Sequence, residues 1–346
     1  MADEPPQKRQ RVEAEHLDEL SSLDSPPAGP GVIQRSELVW RPYGDIVLQV
    51  ESTQFRVNRD ILALQSSVFR DMFLLPQPAD PPMVDGCPLV FLPGDSAEDW
   101  ECLLDLLYDP YTGRDDFSLF GIEVMLKLGR KYDMANIRRH AIFCIHSDFP
   151  SLKSNYDSVR RSGNLPKIGK EVGMEVLLLS LAETHGISKC IPALALKCLK
   201  KYSIETLISD GVRRRTSGTP IVLQNQLKFM LTIAAERITQ WQRKAFAWLE
   251  LDNESVIPVQ NCGAGDCGLD RGKIHRVVMR GRVAGGKRYM VLETWDALEC
   301  NKYVCAACLR AAETRWKLDR MVAWESLPGW FGLPSWEDIL REDNEG

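Results

Sequence analysis

Histidine is scarce in this chain, and motifs in which histidine or glycine commonly supports catalysis are absent. Only five of the 346 residues are histidine. There is no HExxH zinc-protease motif, no glycine-rich phosphate loop of the P-loop type and no GxSxG nucleophile turn. The sequence therefore favours a protein that is not an enzyme.

Excess basic charge and long apolar runs are also lacking. The 43 lysines and arginines are outnumbered by 48 aspartates and glutamates, so the chain as a whole has no positive field that would attract nucleic acid. No run of about 18 or more apolar residues exists, and residues 1–20 contain no apolar stretch of the signal-peptide type. We therefore expect a protein of the nucleus, the cytoplasm or both, with neither a membrane nor nucleic acid as its expected partner.

Residues 1–39 are rich in charge and proline and contain no aromatic residue. This composition predicts a disordered leader, because little apolar surface is available for burial. Within the leader, Lys8, Arg9 and Arg11 form a short basic run. Such a run is typical of a nuclear import signal and equally typical of a solvated tail, and both interpretations stay open.

Residues 45–73 change from strand periodicity to helix periodicity. In "DIVLQV" apolar residues recur at every second position, and "FRV" repeats this alternation after a polar turn, which predicts a β-hairpin. The apolar residues of 61–73 then recur at helical spacing. Two short helices are therefore predicted, with Ser66 or Ser67 as the N-cap of the second.

The following residues, 75–148, continue with one strand and three helices. The proline-rich loop 75–87 cannot continue a helix, and the unbroken apolar run "PLVFLPG" (88–94) predicts a fully buried strand. The first helix starts near Ser96, which forms a capping-box pattern with Asp99, and the other two cover about 117–131 and 134–147.

This order of elements resembles the BTB (POZ) domain, a protein-interaction fold. The residues that carry the resemblance span 40–148 and are "DIVLQV", "FRVNRDIL", "SSVFRDMF", "LVFLPGD", "WECLLDLLYDPYTG" and "LKLGRKYDMANIRRHAIFCI". The resemblance implies an α+β fold class, with a short mixed sheet and a cluster of helices. In its basic leader and its Trp-rich, Cys-containing tail, the chain is also similar to the expanded BTB families of fungi.

The resemblance also implies a charged pocket at a dimer interface. In BTB domains, an Asp of the first strand and the Arg of a His-Arg pair often lie there, and by motif position these residues are Asp45 and Arg59. This chain has Asn58 where the family usually has His, which puts in doubt any contact that needs an imidazole. A buried, bidentate Asp45–Arg59 pair would cost roughly 3–5 kcal/mol to break. Alternatively, the pair only stabilises the monomer.

Residues 149–250 are predicted to form an all-α region. The stretches "EVLLLSLAETHGISKCIPALALKCLKKY" and "LQNQLKFMLTIAAERITQWQRKAFAWL" both have broad apolar faces at helical spacing. In general shape they resemble the helical regions that follow BTB domains in ubiquitin-ligase adaptors. His185, Cys190 and Cys198 are expected to be core or surface residues and not metal ligands.

Residues 251–346 contain a group of cysteines with metal-ligand spacing. Cys262-x4-Cys267 is followed by Cys300, Cys305 and Cys308, and cysteines of the nucleus or cytoplasm are expected to be reduced. Between them, "KIHRVVMRG" and "KRYMVLETW" predict two strands joined by a glycine-rich turn, and "AACLRAAETRWKLDRMVAW" predicts a helix. The arrangement resembles treble-clef zinc modules, so a small Cys-rich α+β module is expected.

The expected cofactor is a structural zinc ion, because two close cysteine pairs supply its four tetrahedral ligands. The predicted ligands are Cys262, Cys267, Cys305 and Cys308. Cys300 or His275 could replace one of them, and the alternative is a small core of five reduced cysteines. Four cysteine ligands leave no open position for water, so no catalysis is expected at this site.

A tryptophan-rich stretch, "WESLPGWFGLPSW", follows the cysteines. Trp324, Trp330 and Trp336 are predicted to cover the core of the Cys-rich module, with an exposed peptide-docking surface as the alternative.

The sequence as a whole predicts a protein that works through contacts with other proteins. The leading hypothesis is a scaffold that homodimerises, or pairs with another BTB chain, and presents its later regions to further partners. The first alternative is a substrate adaptor of a cullin-type ubiquitin ligase, for which Met83-Val84-Asp85 approximates the hydrophobic-x-Glu element of the family. The second alternative is a nuclear regulator that touches nucleic acid through the Cys-rich module.

Overall fold

The computed structural model describes residues 32–76, 80–109, 116–161, 166–213, 219–250, 255–279, 289–295, 298 and 301–342. Among these residues, no helix is both long enough and apolar enough to cross a membrane. The chain divides into two compact units, one with residues up to 61 and 76–105, the other with 62–75 and the residues from 106 onward. The predicted basic run of Lys8, Arg9 and Arg11 lies outside the described residues.

The first unit contains a five-stranded mixed sheet. Its strands are β1 (Gln34–Trp40), β2 (Ile46–Val50), β3 (Thr53–Val57), β4 (Met83–Val84) and β5 (Cys87–Phe91). Their order across the sheet is β1-β3-β2-β5-β4. The β2–β3 pair is the predicted hairpin, β1 runs parallel to β3, and β5 runs parallel to β2 and antiparallel to β4.

The central strand β2 explains why this unit folds around the hairpin. Leu48 and Phe55 lie opposite each other in the hairpin register and are fully buried, as is Val47 on the other face of the strand. Burial of apolar side chains on both faces of a strand stabilises the sheet by about 25 cal/mol for each Å² removed from water. Trp100 is also fully buried, and its indole Nε1 donates a hydrogen bond to Asp95 Oδ2 at 2.8 Å.

The sheet corrects two predictions. Residues 34–39 belong to β1 and not to a disordered leader, because parallel pairing with β3 gives this polar segment backbone hydrogen-bond partners that composition does not reveal. The strand β5 is not fully buried, since Cys87 is buried but Phe91 is 56% exposed. It is separated from the sheet edge by only the two-residue strand β4, which leaves part of β5 open to solvent.

Helices dominate the rest of the described chain. They are α1 (Arg59–Gln65), α2 (Ser67–Leu74), α3 (Ala97–Tyr108), α4 (Leu119–Lys131), α5 (Ala135–Asp148), α6 (Lys153–Arg161), α7 (Met174–His185), α8 (Ile191–Lys201), α9 (Ile204–Ile208), α10 (Asn225–Phe246), α11 (Cys267–Met279), α12 (Ala306–Trp330) and α13 (Trp336–Glu342). Two short antiparallel strands, β6 (Val212–Arg213) and β7 (Pro220–Ile221), interrupt the predicted all-α region. Of the two predicted N-cap candidates for α2, Ser66 is the cap, because its hydroxyl accepts a hydrogen bond from Phe69 N at 3.1 Å.

Two hydrophobic cores are formed by described residues of the second unit. We call the first the large core; it gathers buried residues of α4, α5, α7, α8, α10, the second half of α12 and α13, among them Ile122, Leu178, Leu194, Leu231 and Trp324. We call the second the small core; it gathers buried residues from the end of α10, from α11 and from the first half of α12, among them Phe246, Ile274 and Trp316, together with Met290, Trp295 and Leu298. Tyr289, Val291 and Leu292 of the same segment belong to the large core.

Helix α12 contributes to both cores. Trp241 of α10 packs between them, with its ring centroid 6.2 Å from that of Trp316 and 5.4 Å from that of Trp330. Trp324 stacks on Trp336 at 5.1 Å. All three tryptophans of the "WESLPGWFGLPSW" stretch therefore lie in the large core, and the prediction that they cover the core of a Cys-rich module is wrong. Their position depends on helices α7, α8 and α10, which are remote in sequence.

The segment 289–295 is tied to its surroundings by buried polar contacts. Lys200 Nζ lies 2.8 Å from Glu293 Oε1, and both side chains are almost fully buried. The Trp316 indole donates to Glu293 O at 2.9 Å, and Arg320 donates to Leu292 O and to Asp157 Oδ1. These polar contacts, together with the buried side chains of Tyr289–Leu292 and Trp295, hold this segment in place without strand pairing among its described residues.

The first predicted strand of the Cys-rich segment, "KIHRVVMRG", is wrong, since 273–279 form the second half of α11. The buried residues of α11 are Cys267, Arg271, Ile274 and Val278, which recur at helical spacing from the start of the helix. The second predicted strand is also absent from its described residues, 289–295, which form a turn at 291–292 and otherwise irregular backbone. The predicted helix at "AACLRAAETRWKLDRMVAW" is confirmed as part of α12.

Candidate functional site

Four cysteines of two chain segments meet beside the small core. Cys262 lies in a loop, Cys267 is the first residue of α11, Cys305 is the N-cap of α12 and Cys308 lies in the first turn of that helix. Their Sγ atoms all lie within 4.8 Å of one another, and Cys262 Sγ is 3.9 Å from Cys305 Sγ. The structure therefore brings together the four residues that were predicted as ligands.

The two residues named as alternative ligands are placed differently. His275 is not part of the sulfur cluster, and its Nε2 lies 3.8 Å from Glu250 Oε1. Cys300 lies outside the described residues.

The loop "CGAGDC" has the backbone geometry needed to bring Cys262 and Cys267 together. Gly265 has φ +68°, in the left-handed region that glycine adopts without steric cost. The turn is closed by hydrogen bonds from Cys262 N to Val259 O at 3.0 Å and from Asp266 N to Ala264 O at 2.8 Å. The x4 spacing of this pair is therefore accommodated by a tight turn that leads directly into α11.

Backbone N–H groups surround the sulfur atoms. Cys305 N donates to Cys267 Sγ at 3.2 Å. The N–H groups of Cys308 and Gly263 lower the pKa of the Cys305 thiol to about 6, whereas burial raises the pKa of Cys308 to about 12. A cluster of four sulfur donors, two of them buried, could hold a metal ion.

Asp45 and Arg59 also lie together, as predicted from the BTB resemblance. Arg59 N donates to Asp45 Oδ1 at 2.7 Å, so the carboxylate caps the first N–H of α1, and Arg59 Nε lies 3.8 Å from Asp45 Oδ2. In the single chain the Arg59 and Asp45 side chains are 34% and 56% exposed, so the pair is not buried there, and its burial at a dimer interface stays a prediction. Exposed pairs of this kind contribute about 0.2–1 kcal/mol.

Asn58 has a structural contact of its own where the BTB family usually has histidine. Its Nδ2 donates to Tyr43 O at 2.9 Å and so supports the loop between β1 and β2. An amide nitrogen donates this hydrogen bond whatever the pH, whereas a neutral imidazole donates from only one of its two nitrogens, so its tautomer would decide.

The Met83-Val84-Asp85 element forms β4 and the turn after it. Asp85 Oδ1 accepts a hydrogen bond from Arg35 Nη2 at 2.8 Å, and the Arg35 guanidinium lies 4.6 Å from the centroid of the Trp40 ring. Met83 is 53% exposed. The acidic residue is therefore tied to β1, while the apolar residue of the element faces solvent.

Sequence reasoning missed a set of large apolar side chains that are exposed. Helices α1 and α2 expose Leu64, Val68 and Leu74, and Leu75 follows them. In the sheet unit, Leu38 of β1 is also exposed. The available signal was that these residues fall out of phase with the buried positions of their elements, such as Leu62 and Phe69.

His185, Cys190 and Cys198 have the structural roles that were predicted. Cys190 and Cys198 are fully buried in the large core. His185 ends α7, where Arg130 and Arg138 donate hydrogen bonds to the carbonyl oxygens of Thr184 and His185. The two arginines thus satisfy the last carbonyls of the helix, as cations commonly do at a helix C-terminus.

Comparison with known families agrees with the sheet and the helices described above. Residues 38–147 match the family model of the BTB/POZ domain. The match begins two residues before the predicted range and ends one residue before its end. No curated protein matches the chain.

Proposed function

From the BTB/POZ domain that residues 38–147 form, a protein–protein interaction module, we propose that this chain is a non-catalytic scaffold that self-associates or pairs with another BTB chain. It works in the nucleus or cytoplasm and presents its helical and Cys-rich regions to further proteins.

The exposed apolar side chains of α1 and α2 carry this proposal. Leu64, Val68, Leu74 and Leu75 lie within twelve consecutive residues of the matched domain and face solvent in the single chain. Large exposed apolar residues mark protein contacts, because each Å² of apolar surface that a partner removes from water stabilises the complex by about 25 cal/mol. Among the described residues 59–76, these four are the large apolar side chains that are exposed, so a partner chain would bury them.

Light-scattering mass of the full chain tests self-association. We expect a dimer for the wild type and a folded monomer for Leu64→Glu combined with Leu74→Glu. In the dimer of this variant, two carboxylates would be buried without a cation, which disfavours association. The matched control is Leu269→Glu combined with Leu318→Glu, which makes the same change at exposed leucines outside the domain and should remain dimeric. A wild-type monomer at micromolar concentration would rule out homodimerisation.

The exposed ion pair provides a second test of the same interface. Asp45→Asn combined with Arg59→Gln is expected to weaken the dimer while changing the unfolding free energy of the monomer by less than about 1 kcal/mol. Equal dimer dissociation constants for this variant and the wild type would place the pair outside the interface.

A second candidate function is supported by the exposure of Met83. An exposed apolar residue at the element that adaptors use favours a cullin-type scaffold as partner. The test is co-elution of the purified full chain with a cullin N-terminal region, with Met83→Glu expected to abolish it and Met83→Leu to preserve it. Absence of co-elution at micromolar concentration would eliminate this candidate.

A further inference from the structure

We propose that Cys262, Cys267, Cys305 and Cys308 bind one Zn²⁺ in a closed structural site that joins the loop before α11 to the start of α12. All four residues lie outside the BTB/POZ match, so this proposal is independent of the proposed scaffold function.

The sulfur distances fit a single ion. Zinc–sulfur bonds of about 2.3 Å in tetrahedral geometry place the ligand sulfur atoms about 3.8 Å from one another. Cys262 Sγ and Cys305 Sγ are 3.9 Å apart, and none of the six sulfur pairs exceeds 4.8 Å. A disulfide would instead require about 2.05 Å, and all four cysteines are free.

The backbone around the cluster supplies the outer contacts that orient zinc ligands. The hydrogen bond from Cys305 N to Cys267 Sγ joins the two ligand segments and fixes the direction of one sulfur lone pair. Cys305 also occupies the N-cap position of α12, and the helix dipole favours negative charge on sulfur atoms near this end. Both features suit thiolates that share a dication.

A metal ion that cross-links two chain segments would stabilise the small core. Among the described residues between 255 and 305, its regular structure is limited to α11 and a short 3-10 helix at Asn301–Tyr303, and the rest is turns and loops. Small cores with little regular structure rarely bury enough apolar surface to be stable unless a metal or a disulfide cross-links them. Four cysteine ligands complete the coordination of zinc, so the role of the ion is structural.

Metal analysis of the purified full chain is the direct test. We expect one zinc per chain in the wild type and loss of zinc in Cys262→Ser and in Cys305→Ser. Cys102→Ser is the matched control, because it removes one partly exposed thiol far from the cluster in sequence and should retain zinc. Cys300→Ser should also retain zinc, and its loss there would overturn the proposed ligand set.

Cobalt substitution keeps the proposal testable if the serine variants fail to fold. After zinc is removed, Co²⁺ added to the wild-type chain should give the visible bands of a tetrahedral ion and the thiolate charge-transfer band, and added Zn²⁺ should abolish both. A folded wild-type chain that takes up less than about a tenth of an equivalent of zinc from zinc-containing buffer would overturn the proposal. Iron in place of zinc would overturn the identity of the metal, since iron shares this donor set.

Discussion

The large core and the small core use the same residue type in different ways. In the large core, Cys190 and Cys198 are single buried side chains; Cys190 Sγ donates to Ile187 O at 3.2 Å, and burial raises the pKa of the Cys198 thiol. Beside the small core, four sulfur atoms gather within 4.8 Å of one another. Where aliphatic side chains from several helices already fill a core, cysteine acts as one more small apolar residue. Where aliphatic side chains are few, cysteines that share one metal ion can cross-link two segments of the chain.

Replacement of Trp316 is expected to have the largest effect, because it breaks the small core at its centre. Trp316 is fully buried, stacks on Phe246 at 4.5 Å and donates a hydrogen bond to Glu293 O. Trp316→Ala should reduce the unfolding free energy by about 3–5 kcal/mol, measured by urea denaturation. Leu318→Ala, at an exposed position of the same helix, is the control and should stay within about 0.5 kcal/mol of the wild type.

Breaking the buried ion pair between Lys200 and Glu293 would test whether the stability of the small core depends on its contact with the large core. Lys200 of α8, in the large-core region, meets Glu293 of the segment that enters the small core. Lys200→Met should cost about 3–5 kcal/mol, because it removes the Lys200 cation from the buried Glu293 carboxylate. Adding Glu293→Gln should recover part of that loss, and additive effects in a double-mutant cycle would contradict direct coupling.

A cysteine of the large core should behave differently from one of the cluster. Cys198→Ser places a hydroxyl among aliphatic side chains and should cost about 1–3 kcal/mol, with the same value before and after treatment with a strong metal chelator. If chelation changed the cost of Cys198→Ser, the two groups of cysteines would not be separate.

The smallest expected effect is a pH dependence at the end of α7, beside the large core. Burial, and after it the charges of Arg130 and Arg138, lower the pKa of His185. The unfolded chain therefore binds more protons at this residue, and folding stability should fall as the pH drops below about 6.5. In His185→Gln, the loss of stability between about pH 7.5 and pH 5.5 should be smaller than in the wild type. Equal losses would exclude His185 as a source of acid sensitivity.

What could be predicted from the sequence was mostly local. The hairpin, the Ser66 cap and helices α4 and α5 follow from local patterns. The four clustered cysteines were predicted from their spacing and from the resemblance to treble-clef modules, with Cys300 or His275 as possible replacements. Strand β1 was missed because its partner β3 supplies backbone contacts that no pattern within 34–40 reveals.

Other errors arose where distant contacts decide the outcome. The segment "KIHRVVMRG" was predicted as a strand of a hairpin, but its described residues continue α11, whose buried positions from Cys267 onward keep helical spacing. The proximity of Asp45 and Arg59 was predicted correctly, whereas their exposure depends on the shape of the folded surface, which a motif does not record.

Helix α12 has a consequence for how the protein is made. The large core contains residues of α4 and α7 but is completed by Trp324, Trp330 and Trp336, which leave the ribosome much later. Until then, the apolar faces of the early helices lack their last partners and are open to chaperones and proteases. A premature stop codon just before Trp324 should therefore deplete the protein in the cell, even though the whole BTB/POZ domain would already have been synthesised.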